Sequence, residues 1–375
     1  MSENNKKVTV EQVGEIISKL ENKDFNLYFF TLDTKGNPVA GVANIYEHVK
    51  VLNELGYKAN ILHESVDYKK FGDEETPGIS DWLGEEYANL PHIAIADGTL
   101  NIGPQDFLII PEVFATVMQQ KEIISLPCKK IVLSQSSEYI YELLPLGRRW
   151  TDFHFNDVIT TSENQAKYLK SVFPSIKTHV VPVSIPSYFT KPNKPKTPII
   201  AIHTRNQMDT ARVYKEFYLK YPIYKWLSFK EMRGLPRRRF AETLAESALA
   251  IWIDDSAGFG TFPIEAMSCG TPVIGRIPNV TPEWMINTTD DGRTELRNNG
   301  VWVSSTHDIP DLIAEFMRLW LEDSVPADLL AEMNETTKNY TEEIQRDKIS
   351  EVYNTITSNR IAEFEKVAEA IKEEA

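Results

Sequence analysis

The sequence predicts an α/β protein of two doubly wound, Rossmann-like domains facing a cleft. Three observations lead there. Short apolar runs alternate with helical patterns from about residue 25 to beyond residue 300. One proline-rich segment interrupts that alternation near the middle of the chain. At 375 residues, 42% of them hydrophobic and 25% charged, the chain is long enough to bury two cores.

The elements follow in order. Val10, Val13, Ile16, Ile17 and Leu20 recur at helical spacing, so an amphipathic helix opens the chain. FNLYFFTL (25–32) is an aromatic, uncharged run that predicts a buried strand. The polar turn DTKGNPVAG (33–41) follows, then a helix through Val42, Ile45, Val49 and Leu52 that Gly56 closes, then a strand in YKANILHE (57–64). That is a βαβ unit, which favours a parallel sheet. Further strands are predicted at 92–98, 106–112, 129–135, 157–162 and 178–185. PSYFTKPNKPKTP (186–198) then sets four prolines among lysines, and the domain boundary is placed there. A second series runs through PIIAIHTR (198–205), ALAIWID (248–254), TPVIG (271–275) and the strand at 300–304. Helical spacing returns at Ile349, Val352 and Ile356 and again at Ile361, Phe364, Val367 and Ile371. The expected division is residues 1–190, 191–345, and a final helix (346–375) packing back on the first domain.

Charge and composition exclude several classes. With 40 Lys+Arg against 54 Asp+Glu, the net charge of −14 argues against sequence-independent binding to phosphate backbones. The composition is not that of a disordered, collagen-like or disulfide-scaffold chain. Two cysteines far apart, Cys128 and Cys269, predict core filling in a reducing compartment. No apolar run reaches 18 residues and MSENNKKVTVEQ lacks an apolar centre, so a cytoplasmic protein without a membrane span is expected. The seven histidines show no metal spacing, and Asp254-Asp255 and Asp290-Asp291 read as a strand end and a turn. Neither a G-x-S-x-G elbow, a P-loop, nor a G-x-G-x-x-G after the first strand is present.

The most informative segment is IWIDDSAGFGTFPIEAMSCGTPVIG (251–275). It predicts a buried strand, a loop with Gly258 and Gly260, and a helix with Pro263 in its first turn, capped by Thr261 or a nearby loop residue. Glycines let backbone approach an anion, and a helix start offers free N–H groups. Glu265, one turn in, is placed to accept hydrogen bonds from two adjacent sugar hydroxyls. The plain alternative is an ordinary strand-turn-helix with an acid near a helix N-terminus.

GFGTFPIEAMSCGTPVIG resembles the donor-binding signature of family 4 glycosyltransferases, which have the GT-B fold. PVAGVANIYEHVKVLNELGYKANIL (38–62) resembles that fold's N-terminal glycine loop and first helix. NDVITTSENQAKYLKSVF (156–173) with VVPVSI (180–185) resembles the approach to its interdomain linker. The resemblance implies retaining transfer from a nucleotide sugar without a bound metal or other cofactor. By position, Glu265 would hold the ribose hydroxyls. The backbone at Gly258, Phe259, Gly260 and Thr261 would face sugar and phosphates, and Gly41 would admit the diphosphate. An Arg after the first strand of the second domain and a Lys a few residues later belong to the pattern. Arg205 fits the first, and Arg212 and Lys215 share the second. Such a cation stabilises charge on a departing diphosphate.

Two positions depart from the pattern. Ala257 stands eight residues before Glu265, where the family has an acid that contacts the sugar; Asp254 or Asp255 could substitute. Gln135 stands where many relatives have a sugar-contacting His, with Glu138 beside it as a further candidate. The basic run Arg237, Arg238 and Arg239, in a first helical turn after Pro236, is expected mainly as a solvated charged face, with an anionic neighbour as the alternative. No side chain is assigned as catalytic base. The acceptor is open among polysaccharide, protein, lipid and modified nucleic acid, and an oligomer through the first helix is an option. A binding or assembly protein on a degenerate scaffold and a nucleotide-sugar epimerase are the alternative functions.

Overall fold

The computed structural model describes residues 9–32, 34, 36–65, 78–98, 100–289 and 292–373. The expectations on residues 1–8, on Asp33 and Lys35 of the first turn, and on Asp290-Asp291 lie outside them.

Seven parallel strands form the first sheet: β1 (Asn26–Phe30), β2 (Lys58–His63), β3 (His92–Ala94), β4 (Phe107–Pro111), β5 (Lys129–Ser134), β6 (Phe155–Thr160) and β7 (Lys177–Val180). Their order is β3-β2-β1-β4-β5-β6-β7, so the direction of winding reverses between β1 and β4. Side chains of β1 alternate between two cores. Leu27 and Phe29 face one, Tyr28 and Phe30 the other, as a sheet covered on both faces requires. α1 (Val10–Glu21) and α2 (Ala40–Glu54) pack on the first of these. α1 starts in a capping box in which Thr9 Oγ1 accepts from Gln12 N and Gln12 reaches back to the Thr9 amide. Short helices α3 (Ile79–Trp82), α4 (Ala115–Met118), α5 (Lys121–Ser125) and α6 (Tyr139–Leu143) occupy the connections, and α7 (Glu163–Val172) precedes β7.

The second sheet holds β8 (Thr197–Thr204), β9 (Ser228–Glu231), β10 (Ser247–Ile253), β11 (Val273–Arg276) and β14 (Val301–Val303), all parallel, in the order β14-β11-β10-β8-β9. The alternation recurs in β10, with Ala250 and Trp252 in one core and Leu249, Ile251 and Ile253 in the other. α8 (Gln207–Lys220), α9 (Arg237–Glu246), α10 (Thr261–Ser268), α11 (Ile309–Leu321) and α12 (Ala327–Thr337) flank it. The edge strand β9 and the hairpin β12 (Ile286–Thr288)–β13 (Thr294–Leu296) were not expected from sequence. β9 alternates too little to signal itself, with Ser228 and Glu231 exposed and Phe229 and Lys230 half-buried.

The chain crosses between the domains twice. Val181 belongs to the first domain's core, whereas Ile185 and Phe189 already pack in the second. α13 (Glu342–Glu373) carries the chain back, burying Ile349, Val352, Tyr353 and Ile356 against the first domain. It also lies along α1, so the apolar face of the helix considered as an oligomer interface packs within the chain, with Val13 and Leu20 buried. The two crossings are tied together: Ser184 Oγ donates to Gln345 Oε1 at 2.6 Å, and Ile185 N to Tyr340 O at 2.8 Å. Both cysteines are buried fillers. Burial pushes the Cys128 thiol up to about 11 and that of Cys269 to about 12. Among the described residues no helix is long and apolar enough to cross a membrane.

Candidate functional site in the interdomain cleft

A cavity of about 450 Å³ opens between the carboxyl ends of the two parallel sheets, where doubly wound folds bind ligands. Thr31, Pro111 and Glu112 reach it from β1 and β4, at the first sheet's reversal point, and Arg205 and Asp254 from β8 and β10. Gly41, Gln135, Arg205, Gly258, Phe259, Gly260, Thr261 and Glu265 all line it.

The loop between β10 and α10 explains its glycines. Gly260 has φ 74°, left-handed, and it is the N-cap of α10; Thr261 is the first helical residue and no side chain caps the helix. Of the two expected caps, Thr261 or a nearby loop residue, the loop residue Gly260 takes the position, without a side chain to bond the helix. Pro263 carries no N–H, so the first turn offers the amides of Thr261 and Phe262 without a side-chain cap. Phe259 is held by its carbonyl, which accepts from Trp284 Nε1 at 2.6 Å. Gly258 abuts the other domain: a Cβ there would fall 2.8 Å from the Gln135 carbonyl carbon and 2.7 Å from Gln165 Oε1.

Gln135 is fixed from three sides. Its Nε2 donates to Gly41 O at 3.2 Å, and its Oε1 accepts from Asn44 Nδ2 at 3.1 Å. Its amide and that of Ser136 donate to Glu112 Oε1 at 2.8 and 2.7 Å. Burial pushes the Glu112 carboxyl up to about 7 although these two N–H groups pull it down. Glu112 follows β4 with no motif around it, and sequence reasoning missed it.

Arg205 is half exposed. It donates to Tyr139 OH of the first domain at 3.0 Å and stands 3.9 Å from Asp254 Oδ1. Tyr139 carried no signal in the sequence beyond its place after Gln135. His203, at the end of β8, stacks on Phe262 at 5.0 Å, and burial holds its imidazole below the usual value.

Four expected residues stand elsewhere. Arg212 pairs with Asp209 on the exposed face of α8, and Lys215 is exposed on the same helix; neither lines the cleft. Asp255 turns away to pair with Arg276 at 2.7 Å, which leaves Asp254 as the aspartate that reaches the cleft. Glu138 accepts from Asn279 Nδ2 at 3.2 Å across the domain boundary, outside the cavity lining.

The arginine run separates in three dimensions. Arg237 is largely covered, its side chain 17% exposed, and its Nη2 lies 2.7 Å from Glu265 Oε1, a carboxylate itself only 3% exposed. Arg238 lies over the Tyr188 ring at 5.0 Å, and Arg239 pairs with Glu242. A solvated face therefore describes the third of these; the first reaches the cleft and is a correction to the sequence reading. An i, i+1, i+2 run on a helix points in three directions, and nothing linear says which residue turns inward.

Comparison with solved structures matches both domains together. Sucrose-phosphate synthase of Thermosynechococcus elongatus aligns at a TM-score of 0.60 with 12% identity, over 89% of this chain and 99% of that one. TarM aligns at 0.61 with 11% identity, over 88% and 98%. The chain has the GT-B fold. Another GT-B structure, Anabaena HepE in complex with UDP-glucose, aligns at 0.59 with 11% identity, over 88% and 99%. In sequence, an alpha-1,6-glucosyltransferase of Actinobacillus pleuropneumoniae serotype 7 is 22% identical over 330 residues, 87% of this chain and 94% of that protein. No family model matches the chain.

Proposed function

We propose that this GT-B protein is a glycosyltransferase that takes a nucleotide-sugar donor in the interdomain cleft, glucose being the first sugar to test. The observation that carries the reading is the convergence in one cavity of Arg205, the glycine loop at the start of α10, and the Arg237–Glu265 pair. Arg205 and the uncapped start of α10 suit a diphosphate, and Glu265 suits a diol. The named likeness to an alpha-1,6-glucosyltransferase and the UDP-glucose complex of HepE support the same donor class.

Glucose leaves an α-linked nucleotide donor, so an α product retains configuration. In a front-face displacement the sugar C1–phosphate oxygen bond breaks while the acceptor oxygen bonds to C1. The acceptor proton passes to the departing diphosphate, whose growing charge Arg205 stabilises without need of a metal. Gln135, with Asp254 in the role left open by Ala257, faces the sugar. Closure between the sheets keeps water from the donor.

Calorimetric titration of UDP, GDP, ADP, CMP and TDP tests the site. One nucleotide should bind selectively, and Glu265→Ala should weaken it by about tenfold to a hundredfold. Unchanged affinity in that variant would refute the assignment. Ala257 favours a second reading, a binding protein on this scaffold, which predicts nucleotide binding but no hydrolysis of UDP-glucose over prolonged incubation.

A further inference from the structure

We infer that the first-domain wall of the cleft is a subsite for an uncharged saccharide acceptor, with Thr31 and Trp82 as the residues that select it. The inference rests on the reading of the cleft as a glycosyltransferase site and names the acceptor class which that reading leaves open.

Charge divides the cavity between the domains. Among the described residues that line it, the cations Arg205, Arg233 and Arg237 all belong to the second domain, whereas the first contributes Glu47 and Glu112 and no cation. An anion is therefore drawn to one wall and disfavoured at the other. Three buried polar atoms on the first-domain wall have no hydrogen-bond partner among the described residues: Thr31 Oγ1, Trp82 Nε1 and Glu112 Oε2. Their residues are 4%, 3% and 3% exposed. Buried polar groups are ordinarily bonded and each one left alone costs stability, so three lining one cavity point to a ligand that supplies the bonds. The indole N–H can only donate, and the threonine hydroxyl donates and accepts. Sugar hydroxyls, which do both, match that mixed set; a phosphate or a carboxylate only accepts, and it would meet Glu47 and Glu112. Leu83 and Tyr87, in the same core as Trp82, also line the wall and offer apolar surface to the C–H face of a sugar ring. Tyr87 OH donates to Glu47, and Lys50 Nζ stands 3.1 Å from the same carboxylate oxygen, which holds this part of the wall in place.

The test is ligand-observed saturation-transfer NMR on the full chain, with and without the nucleotide selected by calorimetry. The probes are the methyl glycosides of glucose, galactose and mannose, the charged sugars glucose 6-phosphate and glucuronic acid, and an uncharged serine-rich peptide. At least one methyl glycoside should bind, and the charged sugars should bind about tenfold more weakly or not at all. Thr31→Val removes the hydroxyl and keeps the shape; Trp82→Phe removes the N–H and keeps an aromatic ring. Each should weaken the bound glycoside about threefold to tenfold. Thr31→Val should at the same time raise the melting temperature by about 1–3 °C, because a buried unpartnered hydroxyl is lost. That opposition separates a ligand-facing residue from a structural one, whose replacement lowers both. Should Trp82→Phe fail to fold, Thr31→Val decides. Unchanged glycoside binding in Thr31→Val, a fall in both its binding and its melting temperature, tighter binding of the charged sugars, or binding of the peptide in place of every glycoside would overturn the inference. Nucleotide binding with no glycoside bound would overturn it and leave the donor site standing. A glycoside bound with no nucleotide would overturn the donor reading and keep the wall as a saccharide site. Binding of neither would overturn both.

Discussion

Replacing Gly258 by Ala puts a methyl group into the seam between the two domains. The added Cβ would stand 2.8 Å from the Gln135 carbonyl carbon, closer still to its oxygen, and 2.7 Å from Gln165 Oε1. Ordinary contact begins near 3.4 Å, so the seam must open by at least 3.4 − 2.8 = 0.6 Å. The Gln135 backbone cannot give way alone. Its amide is bonded to Glu112 and its side chain to Gly41 and Asn44. The domains must part instead, stretching the 2.6 Å bond from Ser136 Oγ to Ser256 O. Overpacking of this kind costs about 1–3 kcal/mol, and a shift approaching 1 Å between the halves of a site costs about a hundredfold in rate. The assay is thermal unfolding together with hydrolysis of UDP-glucose without acceptor. Gly14→Ala is the control. Nothing stands within 4 Å of a Cβ there, and α1 should gain about 0.5–1 kcal/mol with unchanged turnover. A Gly258→Ala protein matching wild type in both measurements would refute the account of the seam.

Two further perturbations probe buried charges. The folded Glu112 carboxyl titrates at about 7, above the ordinary 4.5, so the native state keeps a proton that the unfolded chain releases between those values. Its stabilisation is complete below about pH 4.5 and is lost as the pH rises through 7, on the order of 3 kcal/mol. Glu112→Gln should flatten that part of the stability profile, and parallel profiles from pH 4 to 8 would contradict the assignment. Lys129 binds Asp157 at 2.9 Å and Glu363 of α13 at 2.7 Å. Burial would raise the Asp157 carboxyl, but bonds from His179 and Lys129 hold it below the usual range. Lys129→Met leaves that buried carboxylate to His179 alone and should destabilise by about 2–4 kcal/mol in urea unfolding. A loss under about 1 kcal/mol would show that His179 suffices.

The plainest strands in the sequence are central ones such as β1 and β10, whose burial on both faces makes them nearly continuous apolar runs, although the edge strands β3, β7 and β14 were also expected. β9 escaped because its four residues, Ser228, Phe229, Lys230 and Glu231, include one apolar side chain and so make no apolar run. The glycine loop and Glu265 were legible because a turn, a helix start and an acid one turn later are all local features. What escaped were partners brought from afar. Glu112 meets Gln135 across 23 positions and Tyr139 meets Arg205 across 66. Arg237 meets Glu265 across a strand and two connections. Asp254 and Asp255 illustrate the same limit at close range. Adjacent residues at a strand end point opposite ways, and only the fold decides that Arg276 takes the second.

The return of α13 to the first domain has a consequence for how the protein is made. Ile349, Val352, Tyr353 and Ile356 complete a core whose other members, from Leu20 to Val181, leave the ribosome long before them. The second domain, whose core residues run from Ile185 to Tyr340, is synthesised in between. Domains ordinarily fold in the order in which they emerge. Here the domain that emerges first must wait for its last helix, holding an open apolar groove beside α1 and α2 while its neighbour is already closed. The interval is a window in which chaperones would find the nascent chain, and it closes only when Tyr353 docks against Phe29.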